Sequence, residues 1–211
     1  MYPAEHVHYI VNMPKNLVVK KVAILGGAAW KETDQTYKDS FAVAKLLAEN
    51  GIEVLNGGGP GVMEAATKGA KAGGQKFTVV VTYEPAYEHK NYEGSTADNP
   101  YDEDIKTTDY FDRTKVLLQN TDVHIVFRGG TGTISEFGMS WASSRIHEGH
   151  HKPIILFGDF WKKLIGDIKA NMHMRPGEVE LLKIVSKPEE VIEYIKEISK
   201  KDIKESVTSL L

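Results

Sequence analysis

Three short apolar runs each stop at a glycine turn and resume as a helix, and this arrangement restricts the fold more than any other feature of the chain. Val22-Ala23-Ile24-Leu25 stops at Gly26-Gly27. Ile52-Glu53-Val54-Leu55 runs into Asn56-Gly57-Gly58-Gly59-Pro60-Gly61. Val123-His124-Ile125-Val126-Phe127 runs through Arg128 into Gly129-Gly130-Thr131-Gly132. Short runs rich in β-branched and apolar residues are strands of the buried, parallel-sheet kind. Parallel neighbours need a crossover between them, and the segments between these runs have helical periodicity.

The rest of the chain keeps the alternation. Residues 1–16, with two histidines and two prolines, have no period and read as an irregular lead-in. Leu17-Val18-Val19 leads into the first strand. Thr33 or Asp34 can cap a helix that carries Phe41, Val43, Ala44, Leu46 and Leu47 and ends at Asn50-Gly51. Val62 to Ala70 is helical, with Pro60 suited to its first position, where a missing N–H costs nothing. Phe77 to Val81 is a strand. Residues 84–107 read as a long loop or lid, with Asp102-Glu103-Asp104 as a solvated acidic run. Thr108-Asp109 can cap a helix to Asn120. Lys152 to Gly158 is a strand, about Phe160 to Asn171 a helix, and Leu181 to Val185 a strand. Pro188 opens an amphipathic helix with Val191, Ile192, Ile195 and Ile198, and residues 201–211 form a tail. The expected architecture is α/β: a single domain over 1–211, with one doubly wound, mostly parallel sheet and helices on both faces, Rossmann-like.

In such sheets ligands bind beyond the carboxyl ends of the strands, at the switch point. All three glycine turns sit at carboxyl ends and should converge on one crevice. A strand that runs through glycines into a helix N-terminus makes an anion site, because unpaired N–H groups point outward and the dipole favours negative charge. Glu136 follows Thr133 by three residues on one helix face. The same spacing fits a capping box, in which the glutamate bonds back to the cap. From spacing alone the structural cap and the functional carboxylate both stand.

Bulk properties narrow the function. The chain has 211 residues and a formal net charge of -3, against a wholly basic nucleic-acid surface. Cys is absent, which removes disulfides, thiolate metal sites and cysteine nucleophiles. No apolar run approaches the ~18 residues of a membrane span, and Met1 to Lys21 lacks the pattern of a signal peptide. The expectation is a cytoplasmic protein. His147-Glu148-Gly149-His150-His151 matches H-E-x-x-H literally. Gly149 lies inside it and Pro153 follows, so a helix should end there and splay the histidines. No metal and no resident cofactor are expected.

The turn Asn56-Gly57-Gly58-Gly59-Pro60-Gly61-Val62-Met63-Glu64-Ala65, followed by Gly129-Gly130-Thr131-Gly132-Thr133-Ile134-Ser135-Glu136, resembles the LOG family of Rossmann-like nucleotide-binding proteins. The resemblance runs from about Val18 to Ile198. The family's hallmark is P-G-G-x-G-T-x-x-E after a G-G-G-x-x-G-x-M turn. Characterised members are phosphoribohydrolases that cut the N-glycosidic bond of nucleoside 5′-monophosphates, cytokinin nucleotides included, and many are mislabelled lysine decarboxylases. The resemblance implies Arg113 and Glu136 as the catalytic pair. It implies phosphate and substrate contacts from Gly26, Gly27, Gly58, Gly59, Gly129, Gly130, Thr131, Gly132 and Thr133. It also implies a homodimer or larger homo-oligomer with the site near the subunit contact. This sequence has Arg128 at the family proline, Tyr110-Phe111 where the family has Met-His, Lys115 displaced from its usual position, and Gly26-Gly27-Ala28 where many members have Gly-Ser-Ser. Arg128 adds a cation beside the turn or faces solvent. Tyr110 and Phe111 stack on a base or pack in the core. Arg113 is a surface arginine unless the resemblance holds. The partner expected is a small nucleoside monophosphate, with neither nucleic acid nor membrane. The alternative to hydrolysis is a carrier of a nucleotide or pterin-type cofactor on the same fold.

Overall fold

In the computed structural model, described over residues 18–84, 98–146, 152–175 and 177–208, the first strand, β1, is Lys21–Leu25. Its side chains alternate. Val22 and Ile24 enter one core, while Ala23 and Leu25 enter another on the opposite face. That period of two, apolar on both faces, is what a central strand requires. The elements that follow are α1 (Gln35–Glu49), β2 (Glu53–Asn56), α2 (Val62–Ala72), β3 (Val79–Tyr83), β4 (Glu103–Thr107) and α3 (Tyr110–Gln119). After them come β5 (Val123–Val126), α4 (Thr131–Ile146), β6 (Ile154–Phe157), α5 (Phe160–Asn171), a 3-10 turn at Val179–Leu181, β7 (Leu182–Val185) and α6 (Pro188–Thr208).

The strands form one sheet in the order β4-β3-β2-β1-β5-β6-β7, and every pairing is parallel. Helices α1, α2 and α6 cover one face; α3, α4 and α5 cover the other. The expected doubly wound α/β architecture is therefore found. The chain grows outward from β1 to β4, then crosses back to β5 on the other side of β1. The switch point lies between the carboxyl ends of β1 and β5. Phe137, only 3% exposed, stacks on Trp141 at 5.2 Å and meets Trp161 of α5 at 5.1 Å. This aromatic wedge fixes the rotation of α4 and so the aim of Glu136 beside it.

Several local expectations change. The loop expected over 84–107 contains β4, whose charged sequence Glu103-Asp104-Ile105-Lys106-Thr107 suits an edge strand, paired among the described residues with β3 alone. The acidic run is not merely solvated. Asp102 accepts hydrogen bonds from the Thr78 amide and hydroxyl, both at 2.8 Å, and its carboxyl is held down at about 2 mainly by that amide, with Lys71 assisting. β3 runs from Val79 to Tyr83, later than the expected Phe77 to Val81, and Phe77 is exposed. Pro60 precedes α2 rather than opening it. Gly61 is the cap, at φ 68°, where a Cβ would meet the Gly27 carbonyl oxygen at 2.5 Å. Asp34 caps α1 but spends its carboxylate on the Lys31 amide outside the helix, whereas Asp109 caps α3 by accepting from the Asp112 amide, as expected. The backbone of α6 continues through the expected tail to Thr208. The lead-in at 1–16, residues 85–97 of the 84–107 segment and the His147–His151 motif lie outside the described residues.

Candidate functional site

The turns after β1 and β5 are pressed together backbone to backbone. The Gly27 amide donates to the Arg128 carbonyl at 3.1 Å, and the Trp30 indole N–H donates to the same oxygen at 2.8 Å. A Cβ at Gly27 would lie 2.9 Å from the Gly129 Cα, and one at Gly129 would lie 2.7 Å from the Gly27 nitrogen. Only glycine at both positions permits this approach. Helix α4 starts immediately beyond, at Thr131, so the amides of its first turn have no acceptor within the helix. They border a crevice of about 400 Å³ at the switch point.

Of the expected residues, Gly26, Gly27, Gly129, Gly130, Thr131, Gly132 and Thr133 line this crevice, and Arg113 and Glu136 join them. Gly58 and Gly59 are a correction: they are buried and do not line it. The Gly58 amide donates to the Asn56 side chain at 2.8 Å, and the Gly59 carbonyl accepts from Asn99 at 3.0 Å. The first amide of α2, that of Val62, donates to the Gly27 carbonyl at 3.1 Å. The second glycine turn is thus sealed against the first and offers the crevice only Gly57.

Arg113 reaches the site from α3 and is only 9% exposed. Its Nε donates to the Val81 carbonyl at 3.1 Å. Its Nη2 donates to the Gly57 carbonyl at 3.3 Å and approaches the Met63 sulfur at 3.6 Å. Its Nη1 donates to Glu136 Oε1 at 2.9 Å. The guanidinium therefore ties together β3, the β2 turn, α2 and α4. It is not a surface arginine. A Cβ at Gly57 would coincide with the guanidinium, which is why this position lacks a side chain.

The two readings of Glu136 now separate. Thr133 lies inside the first turn of α4 rather than at its cap, and the Glu136 carboxylate turns to Arg113. The capping box is absent. Glu136 is 6% exposed; burial pushes its carboxyl above the ordinary range, opposed by the charge and hydrogen bond of Arg113. A buried ion pair is costly to desolvate and persists where its polar atoms are well bonded, as the Arg113 fork is here.

Sequence reading missed Trp30, Thr82 and Tyr83 among the lining residues, and placed Gly57 in a converging turn and Met63 in its motif without naming either as a contact. Trp30 follows the first turn at once and was a legible candidate. Thr82 and Tyr83 were hidden because the strand was expected to end at Val81. Tyr110 does line the crevice, and its hydroxyl donates to the Gly132 carbonyl at 3.1 Å. Phe111 does neither: it is 69% exposed and outside the lining. Arg128 is exposed, but its guanidinium sits 4.5 Å over the Phe160 ring of α5, outside the crevice lining.

The sequence model of the SLOG cluster4 family matches residues 19–192. This is membership of the wider Rossmann-like group, not of the LOG family specifically. The molybdenum cofactor binding protein of the phototrophic bacterium Rippkaea orientalis superposes with a TM-score of 0.61 and 26% identity, covering 86% of this chain and 98% of its own. The molybdenum cofactor carrier protein of Chlamydomonas reinhardtii superposes at 0.60 with 21% identity, over 85% and 98%. DNA processing protein A of Helicobacter pylori, described with a single-stranded DNA binding mode, superposes at 0.50 with 16% identity, over 90% and 83%. At that identity the last two share the fold alone. Among the described residues no helix is long and apolar enough to cross a membrane.

Proposed function

This chain belongs to the SLOG cluster4 family, and from that premise we propose that it hydrolyses the N-glycosidic bond of a nucleoside 5′-monophosphate to free base and ribose 5-phosphate. The observation that carries the reading is the buried Arg113–Glu136 pair, joined at 2.9 Å beneath the glycine turn that opens α4. The first-turn amides of α4, with Thr131 and Thr133, take the 5′-phosphate, where partial positive charge meets dianion. That remote binding orients the sugar over Glu136.

Breaking the C1′–N bond leaves its electron pair on the base nitrogen and builds oxocarbenium charge on the ribose. A carboxylate next to C1′ stabilises that charge, as in glycosidases. With Oε1 held by Arg113, Oε2 is the oxygen for a water, which attacks C1′ and gives its proton to the carboxylate. The departing base takes a proton from solvent. Arg113 acts as a positioning residue, its planar fork fixing the plane of the carboxylate.

The assay is incubation with AMP and other nucleoside monophosphates, cytokinin nucleotides included, measuring free base and ribose 5-phosphate. Glu136→Gln runs beside it, with circular dichroism to establish that it is folded. Base release that vanishes in the folded variant is the expected result.

A second reading is carriage of a pterin-type cofactor without cleavage, and the likeness to the Rippkaea orientalis protein favours it. Tight binding with no base release from any nucleotide would sink the hydrolase and leave the carrier. In either case we assign a small-molecule ligand rather than nucleic acid, since the net charge of -3 gives no general attraction for a polyanion. Failure of single-stranded DNA to compete with ligand tests this. We also assign the protein to the cytoplasm. We further assign a homo-oligomer joined through α3 and α4, which expose Phe111 at 69% and Ile134 at 48%.

A further inference from the structure

The glycine turn of the crevice is the proposed phosphate seat, and the rings of Tyr83 and Tyr110 stand beside it. Resting on the nucleotide reading above, we propose that Tyr110, with Tyr83 at its edge, is the specificity-determining platform that takes the base by its flat face, so that purine and pyrimidine monophosphates are accepted alike.

Two observations carry this. The first is geometry. The Tyr83 and Tyr110 rings meet edge to face, with centroids 6.2 Å apart at 76°, and both line the crevice. The Tyr110 hydroxyl is anchored on the Gly132 carbonyl at 3.1 Å. It thereby holds the ring beside the phosphate turn.

The second is what the wall lacks. Discriminating one base edge from another takes side-chain donors and acceptors placed for it, left unpaired by the wrong base. Here the Trp30 indole N–H is committed to Arg128, and the Thr82 hydroxyl to the Asp104 carboxylate at 2.7 Å. The Tyr110 hydroxyl is committed to Gly132, and Arg113 engages Val81, Gly57, Met63 and Glu136 through its nitrogens. Thr131 and Thr133 belong to the phosphate turn. Among the described residues these side-chain donors are taken, which leaves the ring faces as the wall's main offer to a base. Aromatic stacking is tolerant because every base has a π-face. The Met-His pair of the LOG resemblance gives way to Tyr110-Phe111 here, and only Tyr110 reaches the site.

The test separates this inference from hydrolysis by using the 5′-monophosphates of carbocyclic adenosine, guanosine, cytidine and uridine. These have no glycosidic bond to cut. Their dissociation constants, and that of ribose 5-phosphate, are measured by calorimetry for the native chain, Tyr110→Ala and Tyr110→Phe. The expected result is four native constants within about tenfold of one another. Tyr110→Ala should weaken all four by about tenfold to a hundredfold, the range of one stacked base, while ribose 5-phosphate stays within about twofold. Tyr110→Phe, which keeps the ring and loses its anchor, should weaken all four by less than Tyr110→Ala does, and a loss as large as that of Tyr110→Ala overturns the inference. A hundredfold preference for one base overturns the inference. So does an equal loss of ribose 5-phosphate and nucleotide in Tyr110→Ala, which makes the residue a brace for Gly132 alone. If Tyr110→Ala fails to fold, the native panel still decides. Binding of all four analogues, with no turnover of natural nucleotides, removes the hydrolase and leaves this inference in place.

Discussion

At the scale of single residues the site depends on an absent side chain as much as on present ones. Gly57 leaves the space that the Arg113 guanidinium fills, and its carbonyl is one of the acceptors that orient the fork. Gly57→Ala should expel the guanidinium and leave Glu136 buried beside a displaced partner. Overpacking of this kind costs roughly 1–3 kcal/mol. The prediction is a lower melting temperature together with loss of base release. Gly138, in the same helix as Glu136, is the contrast: an added Cβ there meets nothing within 4 Å. Gly138→Ala should stabilise by about 0.5–1 kcal/mol through helix propensity alone. Thermal melts of the two variants should therefore move in opposite directions, and parallel shifts would refute the steric account of Gly57. The tie at Glu136 could not be broken from sequence. Thr133 and Glu136 are a local pattern shared by a cap and a carboxylate site, and what decides between them is Arg113, which comes from another helix.

At the scale of elements, legibility follows locality. The alternation of buried strand and amphipathic helix is written in adjacent residues, so β1, β5 and β6 could be read, and α5 was expected at about Phe160 to Asn171, where it lies. β4 could not, because Glu103-Asp104-Ile105-Lys106-Thr107 is a strand only through its pairing with β3. Gly58 and Gly59 were misassigned for the same reason: their partners Asn56, Asn99 and the neighbouring turn decide where they face. His124 is another element-scale device. It sits fully inside β5, with Nε2 on the Leu118 carbonyl of α3 and Nδ1 on the Ser140 hydroxyl of α4. The carbonyl can only accept, so Nε2 carries the proton and Nδ1 accepts from Ser140. Burial, with Lys152 nearby, pulls the imidazole down to about 4 from 6.5. A depressed histidine gives the unfolded chain the greater proton affinity between these values. Stability is therefore full above about pH 6.5 and falls as pH drops toward 4, by at most about 3 kcal/mol. Denaturant melts across this range should show the loss in the native chain and a flatter profile in His124→Gln. Identical slopes would remove His124 as its source.

At the scale of the whole molecule the crevice is where two halves of one sheet meet. At the amino end of the junction the Asp122 carboxylate accepts from the Lys20 and Lys21 amides at 2.8 and 2.9 Å. At the carboxyl end the Gly27 amide closes on Arg128. Between these clamps β1 and β5 run in register from Val22 with Val123 to Leu25 with Val126. The crevice at this seam lies above the strand ends, where Gly26-Gly27 from one half face Gly129 to Thr133 from the other. A phosphate seated there touches both halves at once, so its binding energy adds to the stability of their junction. A ligand at a hundred times its dissociation constant stabilises by about 2.7 kcal/mol. For a chain of 211 residues each kcal/mol raises the melting temperature by about 2–4 °C. Ribose 5-phosphate should therefore raise it by about 5–10 °C at that excess, while ribose at the same concentration should leave it unchanged, because the α4 amides and the helix dipole act on the phosphate and not on the sugar. Scanning calorimetry with the two ligands makes the comparison without any turnover. An equal shift from ribose would mean that the glycine turns do not hold the anion, and would undo the assignment of the crevice as a phosphate site whichever of hydrolysis or carriage it serves.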